Sequence, residues 1–225
     1  MSVSEDRTVQ PSPSTAVAGT GIADPAPLGL AAFALTTFLL SAKNANWMGS
    51  ATGAAFLGYA FAYGGLGQLL AGMWEFRNRN VFGATAFSTY GGFWIGIGIW
   101  YQLVAVPALT SAKTPLALAT AVRAVNHDQG WILLAFAIFN TYMLIISTQV
   151  NVAVFVVFLT LELTEIFLFI GNFTVKAGAT SEIIKIGGII GVITAAAAWY
   201  TSAAGVMNGH KGKVVFPVGK PLFDL

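Results

Sequence analysis

Uncharged, apolar runs recur six times along the chain, at about 27–42, 50–74, 83–106, 130–148, 152–173 and 184–206. A helix needs roughly 20 mostly apolar residues to cross a bilayer core, so each run predicts a transmembrane helix. Polar punctuation separates the runs: Lys43, then Glu75, Arg77 and Arg79, then Lys113, Arg123 and Asp128, then Gln149 to Asn151, then Lys176 and Glu182. Four runs carry no charge, the fifth carries Glu162 and Glu165, and the sixth has only Lys185, at its first turn. One connection is long, from Pro107 to Gln129, with room for a short interfacial helix. The pattern predicts an all-α, polytopic membrane protein whose six transmembrane helices form one compact bundle over residues 24–207. Residues 1–23 are rich in Ser, Thr, Pro and Ala, lack an apolar run and read as a disordered tail rather than a signal peptide. Residues 208–225 carry Lys211, Lys213, Lys220 and two prolines, and read as a C-terminal tail facing lipid headgroups.

Composition sharpens this. Of 225 residues, 56% are hydrophobic and only 9% charged, against roughly 25% charged in a soluble domain. That is too few to coat a water-soluble globule. Lys and Arg are scattered singly, without the basic stripe that nucleic-acid binding requires. The absence of Cys removes thiolate metal sites and cysteine nucleophiles, and no metal or cofactor is implied. Placing both termini in the cytoplasm puts six Lys/Arg on that side and five on the other, a slim positive-inside preference. The G-x-x-x-G pairs Gly49/Gly53, Gly92/Gly96 and Gly187/Gly191 offer small faces for close packing within one bundle or between identical subunits.

The candidate chemistry lies where polar atoms interrupt apolar sequence. Gln68, Thr85, Ser88, Thr89 and Tyr90, joined by Thr36 and Thr37 in the first run, each need a partner or water inside the membrane. Interhelical hydrogen bonding would satisfy any one; their concentration favours a polar lumen. Glu162 and Glu165, three apart, share one helix face with Phe169 and Asn172. A charge at mid-helix costs roughly 2.5–3.5 kcal/mol on an insertion scale, so the pair faces protein or water. It is either a hydrogen-bonded structural pair or a site that exchanges a proton during transport.

The first run opens Asp24-Pro25-Ala26-Pro27-Leu28-Gly29-Leu30, where Asp24 suits an N-cap and Pro25 the first helical position. The same start leaves backbone N–H groups near a positive dipole end, which can hold a carboxylate.

Three blocks carry a family resemblance: this D-P-A-P-L-G-L start, Y-G-G-x-x-Q-x-x-A-G-x-x-E from Tyr63 to Glu75, and N-x-F-G-x-T-A-F-x-x-Y-G-x-F-W from Asn80 to Trp94. In that order they resemble the acetate uptake transporter family over about residues 24–220. The resemblance implies six-helix subunits in rings of six, each with its own path for acetate or succinate. It also implies a hydrophobic constriction matched by Phe33, Tyr90 and Leu161. Thr36, Thr37, Gln68, Ser88 and Tyr90 then become candidate hydrogen-bonding positions for a substrate carboxylate. Two departures stand out: the family's first motif usually begins with Asn where this chain has Asp24, and Glu162 and Glu165 replace apolar or hydroxyl residues. Asp24 acts as a cap alone, or is protonated or paired.

The expectation is therefore a transporter or channel for acetate, with succinate and other small carboxylates as further substrates, in the plasma or inner membrane, probed for proton coupling at the Glu pair. Ammonia or ammonium is the alternative cargo, since a Glu pair suits a cation. A non-transporting membrane sensor is a rival. An intramembrane enzyme is disfavoured because His127 and His210 fall outside the runs and no catalytic dyad or triad lies within them.

Overall fold

A computed structural model describes residues 21–48, 55–175 and 181–223. Gly49, Gly53, Lys176 and most of the N-terminal tail lie outside them. Ten helical pieces follow in order: α1 (Ala26–Asn44), α2 (Phe56–Phe61), π1 (Ala62–Gly67), α3 (Gln68–Arg77), α4 (Val81–Trp100), π2 (Tyr101–Ala105), α5 (Val106–Ser111), α6 (Pro115–Ser147), α7 (Val152–Thr174) and α8 (Glu182–Lys211). Among the described residues, five helices are long and apolar enough to cross a membrane: α1, the joined Val81–Ser111, α6, α7 and α8. The sixth crossing is α2, π1 and α3 in unbroken succession, divided by one π-helical stretch.

Side-chain caps fix where helices begin. Asn80 Oδ1 accepts from Gly83 N at 3.1 Å to start α4, and Asn151 Oδ1 accepts from Val154 N at 2.9 Å to start α7. At α1 the helix begins one residue later than the sequence suggests. Pro25 holds the cap position, and Asp24 Oδ1 accepts from Ala26 N at 2.9 Å.

The expected long connection from Pro107 to Gln129 is helical almost throughout: α5 runs to Ser111 and α6 starts at Pro115. Pro107 lacks an N–H and would clash with the preceding turn of a regular helix. Here the widened π2 turn directly precedes it, so the helix continues. Thr114 then caps α6 by accepting from Ala117 N at 3.1 Å, with Pro115 at the first helical position. At 33 residues α6 is about 50 Å long, well beyond a hydrocarbon core, so Arg123 and Asp128 ride on its extended first half.

α1 and α8 run antiparallel and very close. A Cβ on Gly188 would overlap Asn44 and Ala45 backbone atoms, and at the other end Ser202 donates to Pro27 O at 2.6 Å. Gly187 packs on Leu168 and Gly191 on Ser41, whereas Gly92 and Gly96 of α4 face open space. α7 lies between α6 and α8, and α3 packs on α4. The C-terminal segment is held against the bundle. Gly212 ends α8 at φ +62°, and Asn208 then binds the returning chain, accepting from Val215 N and Phe216 N and donating to Phe216 O. Tyr200 donates to Pro217 O, Ala153 N to Val218 O and Leu222 N to Thr148 O, strapping the segment over the α6–α7 turn.

Candidate functional site

Two cavities lie within the bundle. The first is bounded by Asp24 and the opening turns of α1, by Gln68 and Glu75 of α3, by the first half of α4, by the start of α7, and by Thr201, Gly205 and Val218. It encloses about 820 Å³, mouth included. The second, about 400 Å³ with its mouth included, lies between Thr37 to Asn44 of α1, Phe93 and Trp94 of α4, Leu133 of α6, and Thr164 to Leu168 of α7. Their walls have just three residues in common: Phe33, Tyr90 and Leu161, all buried. Phe33 meets Tyr90 edge-on at 5.7 Å between ring centroids. Phe136 and Phe139 of α6 brace the other side of Tyr90 at 6.1 and 5.5 Å. Edge-on contact with Phe33 and Phe139, with Phe136 tilted against the ring, holds the tyrosine in one orientation.

The polar groups sort by cavity. Gln68, 1% exposed, lines the first, and its Oε1 has no hydrogen-bond partner among the described residues. Thr37 lines the second, and its buried hydroxyl likewise has no partner. Thr36 and Ser88 line neither. The Thr36 hydroxyl donates to Ala32 O at 3.0 Å against Gly64, and Ser88 is wedged against Gly72. At Asp24, on the rim of the first cavity, burial pushes the carboxyl above the usual carboxylate range, opposed by the hydrogen bond from Ala26 N.

Glu162 and Glu165 diverge from their shared helix face. Glu165 is buried and lines the second cavity, and its Oε2 has no partner among the described residues. Glu162 turns to α6, accepting from Asn140 Nδ2 at 2.7 Å and from the Thr141 hydroxyl at 2.8 Å. The Tyr90 hydroxyl lies 2.9 Å from Asn140 Oδ1 and 3.4 Å from Glu165 Oε1, and its single proton serves one of them at a time. Tyr90 thus joins the three-residue step to both carboxylates through Asn140, whose amide also donates to Phe158 O at 3.0 Å.

Two members of this arrangement escape sequence reasoning. Asn140 is a lone amide in an apolar run, a signal that was present but not weighed. Trp94 closes the third family block without a role of its own, yet it is buried on the second cavity with its indole N–H unpartnered among the described residues. No group of three or more His, Cys, Asp or Glu able to hold a metal occurs among the described residues.

Comparison with known proteins bears on this geometry. The GPR1/FUN34/yaaH family model matches residues 6–220. The chain belongs to that family. Acetate permease A of Emericella nidulans is 41% identical over 199 residues, covering 87% of this chain and 65% of the permease. The chain thus spans a little under two thirds of that relative's length. The succinate-acetate/proton symporter SatP of Escherichia coli K12 is 32% identical over 201 residues, covering 89% of this chain and 97% of the symporter. The solved structure of the bacterial acetate channel SatP superposes with a TM-score of 0.73 at 31% identity, covering 88% of this chain and 99% of that one. The all-helical transmembrane fold is that of the GPR1/FUN34/yaaH family.

Proposed function

We propose that this chain is a membrane transporter that passes acetate, and with it succinate and other small carboxylates, through the two cavities in series. The observation that carries the reading is their shared wall: any solute moving between them must pass Phe33, Tyr90 and Leu161. These three form the constriction. Gln68 on one side and Thr37 and Trp94 on the other offer neutral hydrogen-bonding groups to the carboxylate. Neither cavity is lined by Lys or Arg, so the anion is held weakly enough to leave. Names of relatives that specify acetate support the cargo. The protein is not an enzyme on this reading, since the cavities hold no nucleophile–base pair.

Glu162 and Glu165 couple proton movement to passage. Support comes from the hydrogen-bonded path Glu165–Tyr90–Asn140–Glu162, which ties a carboxyl on the second cavity to the constriction. The subunits form a homohexamer in the plasma or inner membrane with both termini cytoplasmic. Gly92 and Gly96, facing outward from α4 into open space, provide a close-packing face for a neighbouring subunit.

Labelled acetate uptake into vesicles holding purified protein, with and without an inward proton gradient, tests this. Accumulation above protein-free vesicles that requires the gradient and is lost on Glu162→Gln with Glu165→Gln is expected. Gradient-independent equilibration would contradict the coupling, and uptake of ammonium in place of acetate would contradict the cargo.

A further inference from the structure

Glu75 has no role in the path described so far. It is 0% exposed, lines the first cavity, and neither carboxyl oxygen has a hydrogen-bond partner among the described residues. The side-chain amides of Asn80 and Asn78 are its neighbouring neutral donors, neither in a well-formed hydrogen bond with it, and Asp24 adds a second carboxyl. No salt bridge involves it; the one ion pair among the described residues is Lys185 with Glu182. An ionised carboxylate buried with no cation, beside a second carboxyl and with only two weakly placed amides, is costly, whereas a neutral carboxylic acid is a hydrogen-bond donor in its own right.

Its setting makes that donor useful. Gln68 stands seven residues earlier on α3, two turns away on the same face and about 10 Å deeper, with its own oxygen unpartnered. The other polar side chains on this cavity are Asp24, Asn80, Asn151 and Thr201, together with the Tyr90 hydroxyl at the inner end. Asn151, like Asn80, has its oxygen committed to a helix cap. Asp24 faces Glu75 from the start of α1, within electrostatic reach. No titratable group on α7, α8 or the returning C-terminal segment lines the cavity. An anion arriving here meets two carboxyl groups and no cation, so an ionised pair would repel it. A protonated one would bind it.

We propose that Glu75, as its neutral acid, is the donor that recognises the substrate carboxylate in the first cavity, holding it as a proton-shared acid–carboxylate pair. The Glu75 O–H donates to one acetate oxygen, giving a short, charge-assisted hydrogen bond that substitutes for the missing Lys or Arg. If the proton follows the substrate, acetic acid moves inward, Glu75 is left as carboxylate, and a proton from the water at the cavity mouth restores it. One proton then accompanies one acetate. This rests on the acetate reading above and adds a recognition site to it.

The test combines acetate uptake between about pH 5 and about pH 8 with infrared difference spectra recorded on adding ¹³C-labelled acetate to the purified protein. The wild type is expected to lose uptake as pH rises and to show a protonated-carboxyl C=O band that acetate shifts. Glu75→Gln, which keeps a weaker donor but cannot titrate, is expected to raise KM for acetate about tenfold at the acid end, to flatten the pH profile and to lack the band. Glu75→Asp, retaining an acid, is expected to restore both band and pH dependence. An acetate-shifted band of wild-type intensity in Glu75→Gln, a wild-type band unmoved by acetate, or an unchanged pH profile in Glu75→Gln would overturn the proposal. So would a band shifted by sodium, potassium or ammonium ions alone, which would mark a cation site. If wild-type vesicles take up no acetate, the transport reading fails, while the infrared comparison still decides whether Glu75 is the donor.

Discussion

Tyr90 does two jobs through two parts of one side chain. Its ring forms part of the wall between the cavities, and its hydroxyl reaches Asn140 and Glu165. Tyr90→Phe keeps the ring and deletes the hydroxyl, leaving two buried acceptors short of a donor at a cost of about 1–3 kcal/mol. Acetate is expected still to equilibrate across vesicles, while gradient-driven accumulation falls; unaltered accumulation would separate Tyr90 from the coupling. Asp24 gives a pH prediction. Because burial raises its carboxyl, ionisation opposes the native arrangement: stability is full below the ordinary value and is lost as pH rises through the raised one. Asp24→Asn is expected to remove that part of the decline in thermal stability seen on going from about pH 4 to about pH 7. A wild-type slope retained in the variant would refute it. Residue type alone was a poor guide here. Thr36 and Ser88 carry the right hydroxyls, but helix phase turns them into packing contacts, while Phe33 and Leu161 read as ordinary core and only the family motifs singled them out.

At the scale of elements, all six crossings were legible as apolar runs, because a bilayer demands length and hydrophobicity that sequence displays directly. What failed was continuity. Two charges in 115–129 and a proline at 107 read as a break, yet Thr114 with Pro115 is a helix start, and π2 absorbs the proline. The attachment of the C-terminal segment was not legible for a different reason. Asn208 satisfies three backbone groups of the returning chain, a tertiary pairing that no periodicity reveals. Asn208→Ala is expected to free residues 213–223, detected as faster amide exchange and proteolysis there with the helices unchanged. Equal protection in both proteins would show that the segment is held by its other contacts. Gly188→Ala drives a methyl into the backbone of α1 and is expected to lower stability by about 1–3 kcal/mol, read as thermal denaturation in detergent. Gly92→Ala, which meets open space within the subunit, is expected to leave that transition in place.

For the whole molecule, the bundle is arranged around an interruption. Two cavities approach each other from opposite halves of the same helices and stop at three buried side chains, with unpartnered polar groups on both sides. On the proposed reading, a step of three apolar rings and side chains between two mainly apolar chambers, each with a few unpartnered polar groups among the described residues, passes a small, weakly held carboxylate and selects by width. In a hydrophobic site one methylene is worth roughly 1–3 kcal/mol. The most direct measurement is the ratio of uptake of a four-carbon monocarboxylate to uptake of acetate, in vesicles containing the wild type or Leu161→Ala. Acetate uptake above protein-free vesicles by the wild type is predicted, with the ratio rising about tenfold in the widened variant. No acetate uptake by the wild type, or an unchanged ratio in a folded Leu161→Ala protein, would contradict a path through Phe33, Tyr90 and Leu161.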